Sequence, residues 1–145
     1  MYRTILIPLE NSPTDEAILS HIRGLAKLCG SRLALVHVAD GHMARNQKGL
    51  NMAESQEMRD DQAYLERRRA ELARDGFDVE AHLECGDPST QILALTKRIN
   101  PDLIAMSTHG HGFVKDVVLG SVAEAVRHRT DVPVLLLRSR PVSGA

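Results

Sequence analysis

The sequence predicts an α/β protein with an open five-stranded parallel sheet and helices on both faces. Three observations lead to this prediction. Apolar runs alternate with segments of helical periodicity, the connections between them are short, and several runs are continuously apolar, as in strands buried on both faces. A length of 145 residues suits one domain, which we expect over residues 1–140, followed by a short tail over residues 141–145.

The first strand and helix have clear local signals. Residues 4–9 are a continuous apolar run that predicts a buried strand. Ser12 is placed to cap the following helix, with Pro13 at its first position and Asp15 near its positive end. Apolar residues then recur at helical spacing, and Gly30 ends the helix.

The next segments predict a strand, a helix and a second strand. Residues 33–39 are apolar, and a polar loop over residues 41–51 separates them from a charged helix over residues 53–74. Residues 79–85 alternate between apolar and polar side chains, which is typical of a half-exposed strand near a sheet edge. We interpret His37, inside the apolar strand over residues 33–39, as a core histidine with satisfied hydrogen bonds.

A strong capping signal opens the third helix. Asp87 is a good N-cap residue and Pro88 suits the first helical position, while Pro101 lies just beyond the expected end. A buried strand is predicted over residues 103–106.

The last helix and strand complete the pattern and suggest the strand order. A helix is predicted over residues 114–128 and a strand over residues 132–137, in which Pro133 favours an edge position. With the half-polar third strand at the other edge, the predicted order is 3-2-1-4-5. Open α/β sheets bind ligands where the winding reverses, here between the loops over residues 8–12 and 107–112.

The segment over residues 107–121, STHGHGFVKDVVLGS, has the composition of a phosphate cradle at this point. Glycines permit positive φ and close approach of an anion, and a following helix adds free N–H groups and the positive end of its dipole. The residues expected to contribute are His109, Gly110, Gly112, Gly120 and Ser121. As simple turn residues these glycines would need no ligand, but their place at the reversal of winding favours binding.

Other sites and partners are disfavoured. A net charge of -1, from 18 basic and 19 acidic residues, argues against nucleic acid and anionic membranes. The cysteines and histidines lack zinc spacing, and His109 with His111 would be a weak pair without a third ligand, so no metal held by protein ligands is expected. With no long apolar segment, we expect a soluble cytoplasmic protein.

Two nucleotide-binding motifs are also missing. There is no Gly-Lys-Ser/Thr sequence of a P-loop, and no GxGxxG follows the first strand. The loop after that strand contains one acid, Glu10. From chemistry alone, Glu10 either accepts hydrogen bonds from ribose hydroxyls or is a solvated loop carboxylate.

The motifs ILIPLENS, LALVHVAD and GDPSTQIL, together with the final third from Asp102 to Leu135, resemble the universal stress protein family over almost the whole chain. The ATP-binding branch of that family carries Gly-x2-Gly-x9-Gly-Ser/Thr, which corresponds here to Ser107-x2-Gly110-x9-Gly120-Ser121. Two positions depart from the family pattern: Ser107 replaces the first glycine, and Glu10 replaces the usual Asp.

The resemblance implies an adenine nucleotide alpha hydrolase-like, Rossmann-like fold that binds ATP or another adenine nucleotide, with Mg carried by the phosphates. It also implies a homodimer formed through the last strand, Val132 to Leu137. Leu9 and Val38 would present backbone atoms or apolar edges to the adenine, and Gly110, Gly120, Ser121 and Val122 would hold the phosphates. The expected nucleotide-binding residues are Pro8, Leu9, Glu10, Val38, Met106, Ser107, His109, Gly110, Gly112, Gly120, Ser121 and Val122.

The sequence thus predicts a nucleotide-binding regulatory module that acts in the stress response. Two alternatives stay open: a nucleotide-free dimeric scaffold, and a protein with slow ATP hydrolysis or self-phosphorylation at Ser121 or a nearby hydroxyl. No lysine of a phosphate-binding motif and no fixed pair of acids supports the enzyme hypothesis, so no catalytic residue is assigned.

Overall fold

The computed structural model describes residues 1–40, 51–109 and 117–139 of the chain. The strands are β1 Thr4–Leu9, β2 Arg32–Asp40, β3 Val79–Gly86, β4 Leu103–His109 and β5 Val134–Ser139. The helices are α1 Thr14–Cys29, α2 Asn51–Arg74, α3 Pro88–Ile99 and α4 Val117–Arg129. All five strands pair in parallel in the order β3-β2-β1-β4-β5, which confirms the predicted fold and strand order.

A hydrophobic core lies on each face of the sheet, because successive side chains of a strand point to opposite sides. Ile5 and Ile7 of β1 pack under α1 and α2, whereas Leu6 packs under α3 and α4. All three side chains are fully buried. The continuous apolar run at the start of the chain therefore reflects a central strand that is covered on both faces.

Helix α3 begins and ends at the predicted residues. The Asp87 carboxylate accepts a hydrogen bond from the Thr90 N–H at 3.0 Å, and Pro88 occupies the first helical position. Asn100 adopts a left-handed conformation after the last turn, and its N–H donates to the Thr96 carbonyl. Both ends of α3 are thus set by capping contacts between residues three or four positions apart.

Helix α1 begins one residue later than a Ser12 cap would place it. Pro13 occupies the N-cap position without a side-chain hydrogen bond, and Thr14 is the first helical residue. The Ser12 hydroxyl instead donates to the Glu10 carboxylate at 2.8 Å, so its strongest contact lies within the loop. Gly30 ends the helix as predicted, with a φ of 66°.

Strand β4 continues beyond the predicted end at residue 106 and reaches His109. The extension occurs because Ser107, Thr108 and His109 pair with the last residues of β5. Strand β5 itself is shifted along the chain relative to the prediction, since pairing with β4 begins where the Ile104 N–H donates to the Pro133 carbonyl. The proposed cradle segment therefore begins inside a strand.

Within the described parts of the chain, no helix is long and apolar enough to cross a membrane. The cytoplasmic location stays a prediction.

Replacing Asp87 by Ala should lower the free energy of unfolding by about 1 kcal/mol at pH 7, because the Thr90 N–H loses its acceptor. Hydrogen bonds from the Thr90 hydroxyl, the Thr90 N–H and the Ser89 hydroxyl hold the pKa of Asp87 below its usual value. The ionised carboxylate therefore stabilises the folded state above the unfolded pKa, and this contribution is lost as the pH falls through the folded pKa. Urea denaturation should show the difference shrinking below about pH 4.

Asp131→Ala is the matched control, because it removes an exposed carboxylate from the turn after α4. Its effect should stay within about 0.5 kcal/mol. Equal losses in the two variants would contradict the capping role of Asp87.

Candidate functional site

The candidate site lies at the carboxyl ends of β1 and β4, the two strands between which the winding of the sheet reverses. From β1 the chain turns into α1 on one face of the sheet, and α4 covers the other face. The described helices after these two strands, α1 and α4, therefore lie on opposite faces of the sheet, and this reversal of winding is the usual ligand position in an open α/β sheet.

The loop after β1 is organised around the carboxylate of Asp15. Its Oδ1 accepts the Glu10 N–H at 3.0 Å, and its Oδ2 accepts the Asn11 N–H at 2.9 Å and the Ser12 N–H at 3.3 Å. Asn11 adopts a left-handed φ of 60°, which lets these successive amides converge on one acceptor. The amides of this loop are therefore occupied by the protein itself.

Helix α2 contributes a further donor to the same carboxylate. The Tyr64 hydroxyl donates to Asp15 Oδ2 at 2.5 Å and accepts from Arg68 Nε at 3.3 Å. Arg68 also pairs with Glu16 of α1 at 2.9 Å. Burial raises the pKa of Asp15, against the opposing effect of its hydrogen bonds, and burial together with the Asp15 contact raises the pKa of Tyr64. Tyr64 consequently remains a neutral donor and joins α2 to the loop.

Glu10 has a role that the sequence did not indicate. Its Oε1 accepts hydrogen bonds from the Ser12 hydroxyl at 2.8 Å and the Thr14 hydroxyl at 2.9 Å. The half-buried carboxylate is thus held against the start of α1 rather than simply solvated. Contact with a ribose stays a prediction, and it would add to this contact within the loop.

His37 is the satisfied core histidine that was predicted. The residue is 8% exposed, and its Nδ1 lies 2.9 Å from the Leu9 carbonyl oxygen. Its Nε2 lies 3.2 Å from Oδ2 of Asp61 on α2. The Leu9 carbonyl is consequently engaged by the imidazole, so the backbone of Leu9 has less to offer a ligand than the resemblance implied.

Ser107 occupies the first position of the glycine motif. Its hydroxyl donates to the Thr14 carbonyl at 3.1 Å, and the residue is 2% exposed. The side chain therefore joins β4 to the first turn of α1, and its hydroxyl is occupied within the protein.

The predicted apolar contacts differ in what they can offer. Pro8 and Leu9 are buried at the end of β1, and Met106 is fully buried in the core under α3 and α4. Val38, near the end of β2, is half-buried. Of these four residues, Val38 has the most exposed surface, and contact of the fully buried Met106 with a ligand stays a prediction.

Residues at the start of α4 offer open space and a hydroxyl. Gly120 is the fourth residue of the helix, it has no positive φ, and no described atom lies within 4 Å of a Cβ built on it. The freedom to adopt positive φ, which was one expected use of this glycine, is therefore not used at Gly120. The Ser121 side chain is exposed, whereas Val122 is buried in the core at 7% exposure.

Several predicted contacts lie beyond what the structure describes. Gly110 and Gly112 lie outside the described residues, and of His109 only the strand backbone is described. In the described ranges, no three His, Cys, Asp or Glu side chains come together as a possible metal site.

Sequence reasoning missed the residues of α2 that reach the loop. Asp61, Tyr64 and Arg68 follow one another at spacings of three and four, which places them on one helical face. This polar row lies beside the buried Leu65 and Leu72, and the pairing of polar residues with an apolar stripe was the available signal. Asp15 had been assigned only a favourable interaction with the helix dipole.

Comparison with known proteins places these features in a family context. The model of the universal stress protein family matches residues 1–138. Universal stress protein MJ0577 from Methanocaldococcus jannaschii is 27% identical over 157 aligned positions, which cover 97% of each chain. Its solved structure superposes with a TM-score of 0.83 and covers 97% of this chain and 99% of that one.

Two structures with the same fold contain adenine nucleotides. A universal stress protein in complex with cAMP is 18% identical, with a TM-score of 0.68 and coverage of 94% of this chain and 97% of that chain. The universal stress protein from Archaeoglobus fulgidus in complex with dAMP is 21% identical, with a TM-score of 0.64 and coverage of 93% and 97%. At these identities the similarity concerns the fold.

Tyr64→Phe should lower the free energy of unfolding by about 1–3 kcal/mol, because the buried Asp15 carboxylate loses one of its donors. Urea denaturation at pH 7 measures the change. Tyr2→Phe is the matched control, since the half-buried Tyr2 ring packs against the same core. Equally small effects in both variants would show that the contact between Tyr64 and Asp15 contributes little.

Proposed function

The chain belongs to the universal stress protein family, and on this premise we propose that it is an adenine-nucleotide-binding module with ATP as the preferred ligand. The nucleotide would lie in the crevice at the ends of β1 and β4. Occupancy would regulate how the protein presents its surface to partners during stress. The two nucleotide complexes with the same fold support the choice of an adenine nucleotide.

Gly120 carries most of this proposal. A glycine inside a helix costs up to about 1 kcal/mol relative to alanine. Neither a positive φ nor contact with described atoms explains Gly120, and the same holds for Gly24 of α1. What supports the proposal is the position of Gly120 in the first turn of α4, at the reversal of winding, where the missing side chain would let an anion approach the backbone closely.

The neighbouring residues suit the same ligand. The exposed Ser121 hydroxyl would donate to a phosphate oxygen, and the positive end of the α4 dipole would favour its charge. The loop after β1 would contribute little to phosphate binding, since its amides are bonded to Asp15. Gly110, Gly112 and His109 are proposed to complete the phosphate contacts, with Mg carried by the phosphates.

Calorimetric titration with ATP in the presence of magnesium tests the proposal directly. We expect measurable heat and a rise in unfolding temperature, and parallel titrations with ADP, AMP and cAMP would rank the ligands. Mass spectrometry of small molecules released from freshly purified protein gives an independent readout. The proposal would be rejected if millimolar nucleotide produced neither heat nor a thermal shift.

Gly120→Ala separates binding from folding. The added methyl should raise the free energy of unfolding by up to about 1 kcal/mol through helix propensity. It should also weaken ATP binding by at least about tenfold, because it fills the space proposed for the phosphate. Thermal unfolding and calorimetry measure the two effects.

Gly24→Ala is the matched control. Gly24 lies inside α1, has no positive φ, and has no described atom within 4 Å of a Cβ built on it. The variant should be stabilised to a similar degree and bind ATP like the wild type. Unchanged ATP affinity in Gly120→Ala would argue against phosphate at this helix.

We also propose that the protein forms a homodimer through its last strand. Strand β5 lies at the edge of the sheet, where Leu136 is 41% exposed. An exposed apolar edge strand favours pairing with another chain. Leu136→Lys should shift sedimentation from dimer toward monomer, whereas Leu28→Lys, at an 88% exposed position on α1, should not. Sedimentation with and without ATP then tests whether assembly depends on nucleotide, and a monomeric wild type would contradict the dimer.

A further inference from the structure

The imidazole of His37 connects three elements beside the proposed nucleotide site. Its Nδ1 lies 2.9 Å from the Leu9 carbonyl oxygen at the end of β1. Its Nε2 lies 3.2 Å from Oδ2 of Asp61 on α2. The other oxygen of Asp61, Oδ1, accepts a hydrogen bond from Asn11 Nδ2 at 3.1 Å. Through these contacts, Asp61 of α2 is linked to Leu9 at the end of β1 and to Asn11 in the loop that follows.

Both ring nitrogens of His37 face groups that can only accept. A carbonyl oxygen has no proton to donate, so Nδ1 must carry one. An ionised carboxylate also has none, so a proton must lie between Nε2 and Asp61 as well. A neutral imidazole carries a single N–H, and the geometry therefore requires one additional proton. Imidazole is a stronger base than carboxylate, which places this proton on Nε2.

We propose that His37 and Asp61 are positioning residues, which hold the loop over residues 9–12 in place through an imidazolium–carboxylate pair. The pair is largely shielded from water, with side-chain exposures of 10% and 18%. Loss of the additional proton would leave two acceptors facing each other, so the pair would separate and release α2 from the loop. The consequence for nucleotide affinity rests on the proposed function.

The ionisable groups of the surrounding elements have other contacts in the structure. Asp15 of α1 is bonded to Tyr64 of α2 and to the loop amides, and Glu10 accepts from two hydroxyls. On β3, the residue paired with His37 is the apolar Leu83, and the neighbouring Glu84 pairs with Arg98. Asp61 is therefore the group that accepts the hydrogen bond from the second ring N–H of His37.

The sign of the pH effect follows from the proton count. At low pH the ring carries both protons and the pair is attractive. When the pH is raised far enough to remove the additional proton, two acceptors face each other and the pair becomes repulsive. Nucleotide affinity should therefore fall toward alkaline pH.

Nitrogen-detected NMR of the ligand-free protein tests the pair itself, with the His37 resonance assigned by its absence in His37→Gln. We expect two protonated ring nitrogens at pH 5.5. As the pH rises, the side-chain amide of Asn11 should shift with the same midpoint as the ring. A neutral ring at pH 5.5, or an Asn11 amide that does not follow the ring, would overturn the proposal.

Asp61→Asn tests the consequence for binding. Its side-chain oxygen can still accept from Asn11, and its amide can donate to a neutral Nε2, so the contacts no longer need the additional proton. Between pH 5.5 and 8.5, ATP affinity of the wild type should fall relative to this variant by on the order of tenfold. The ratio of the two ATP affinities at each pH is used because the protonation of ATP affects both proteins equally.

Asp60→Asn is the control, because it makes the same charge change at the neighbouring, exposed position. It should keep the pH dependence of the wild type. Parallel pH profiles of wild type and Asp61→Asn would refute the positioning role. If no nucleotide bound at any pH, the proposed function would fail, whereas the ligand-free NMR titration would still decide whether the pair exists.

Discussion

The buried carboxylate of Asp15 is the constraint on which the candidate site depends. A charged group removed from water is tolerated only when donors replace its hydration. Here three consecutive amides and the Tyr64 hydroxyl do so. This arrangement fixes the left-handed turn at Asn11, the start of α1 and the position of α2 against the sheet. The loop after β1 is therefore preformed by internal contacts.

This constraint divides the crevice into two unequal halves. On the β1 side, the amides are bonded to Asp15 and the Leu9 carbonyl is bonded to His37. On the α4 side, no described atom lies within 4 Å of a Cβ built on Gly120, and Ser121 exposes a hydroxyl. The β1 side, whose polar backbone groups already have partners, suits a role in positioning the ligand. The α4 side suits the proposed binding of an anion.

The elements that sequence predicted well have short-range causes. Alternation of apolar runs and helical periods was sufficient for the fold. The half-polar β3 and Pro133, just before β5, indicated the edges and so the strand order. Asp87 and Gly30 marked helix ends because capping acts within a few residues. Boundaries that depend on a partner strand were less accurate: β4 extends to His109 because β5 lies beside it.

By itself, then, the sequence determined the α/β fold and the strand order, and it predicted a ligand site at the reversal of winding. Only the tertiary structure decided how the crevice is supported. Tyr64 reaches Asp15 across 49 positions, and Ser107 reaches Thr14 across 93. The Ser107 hydroxyl is thereby occupied by a contact that its motif position did not suggest. Periodicity and capping record the local preferences of the chain, whereas partners this far apart are chosen by the packing of helices on the sheet, which no local pattern contains.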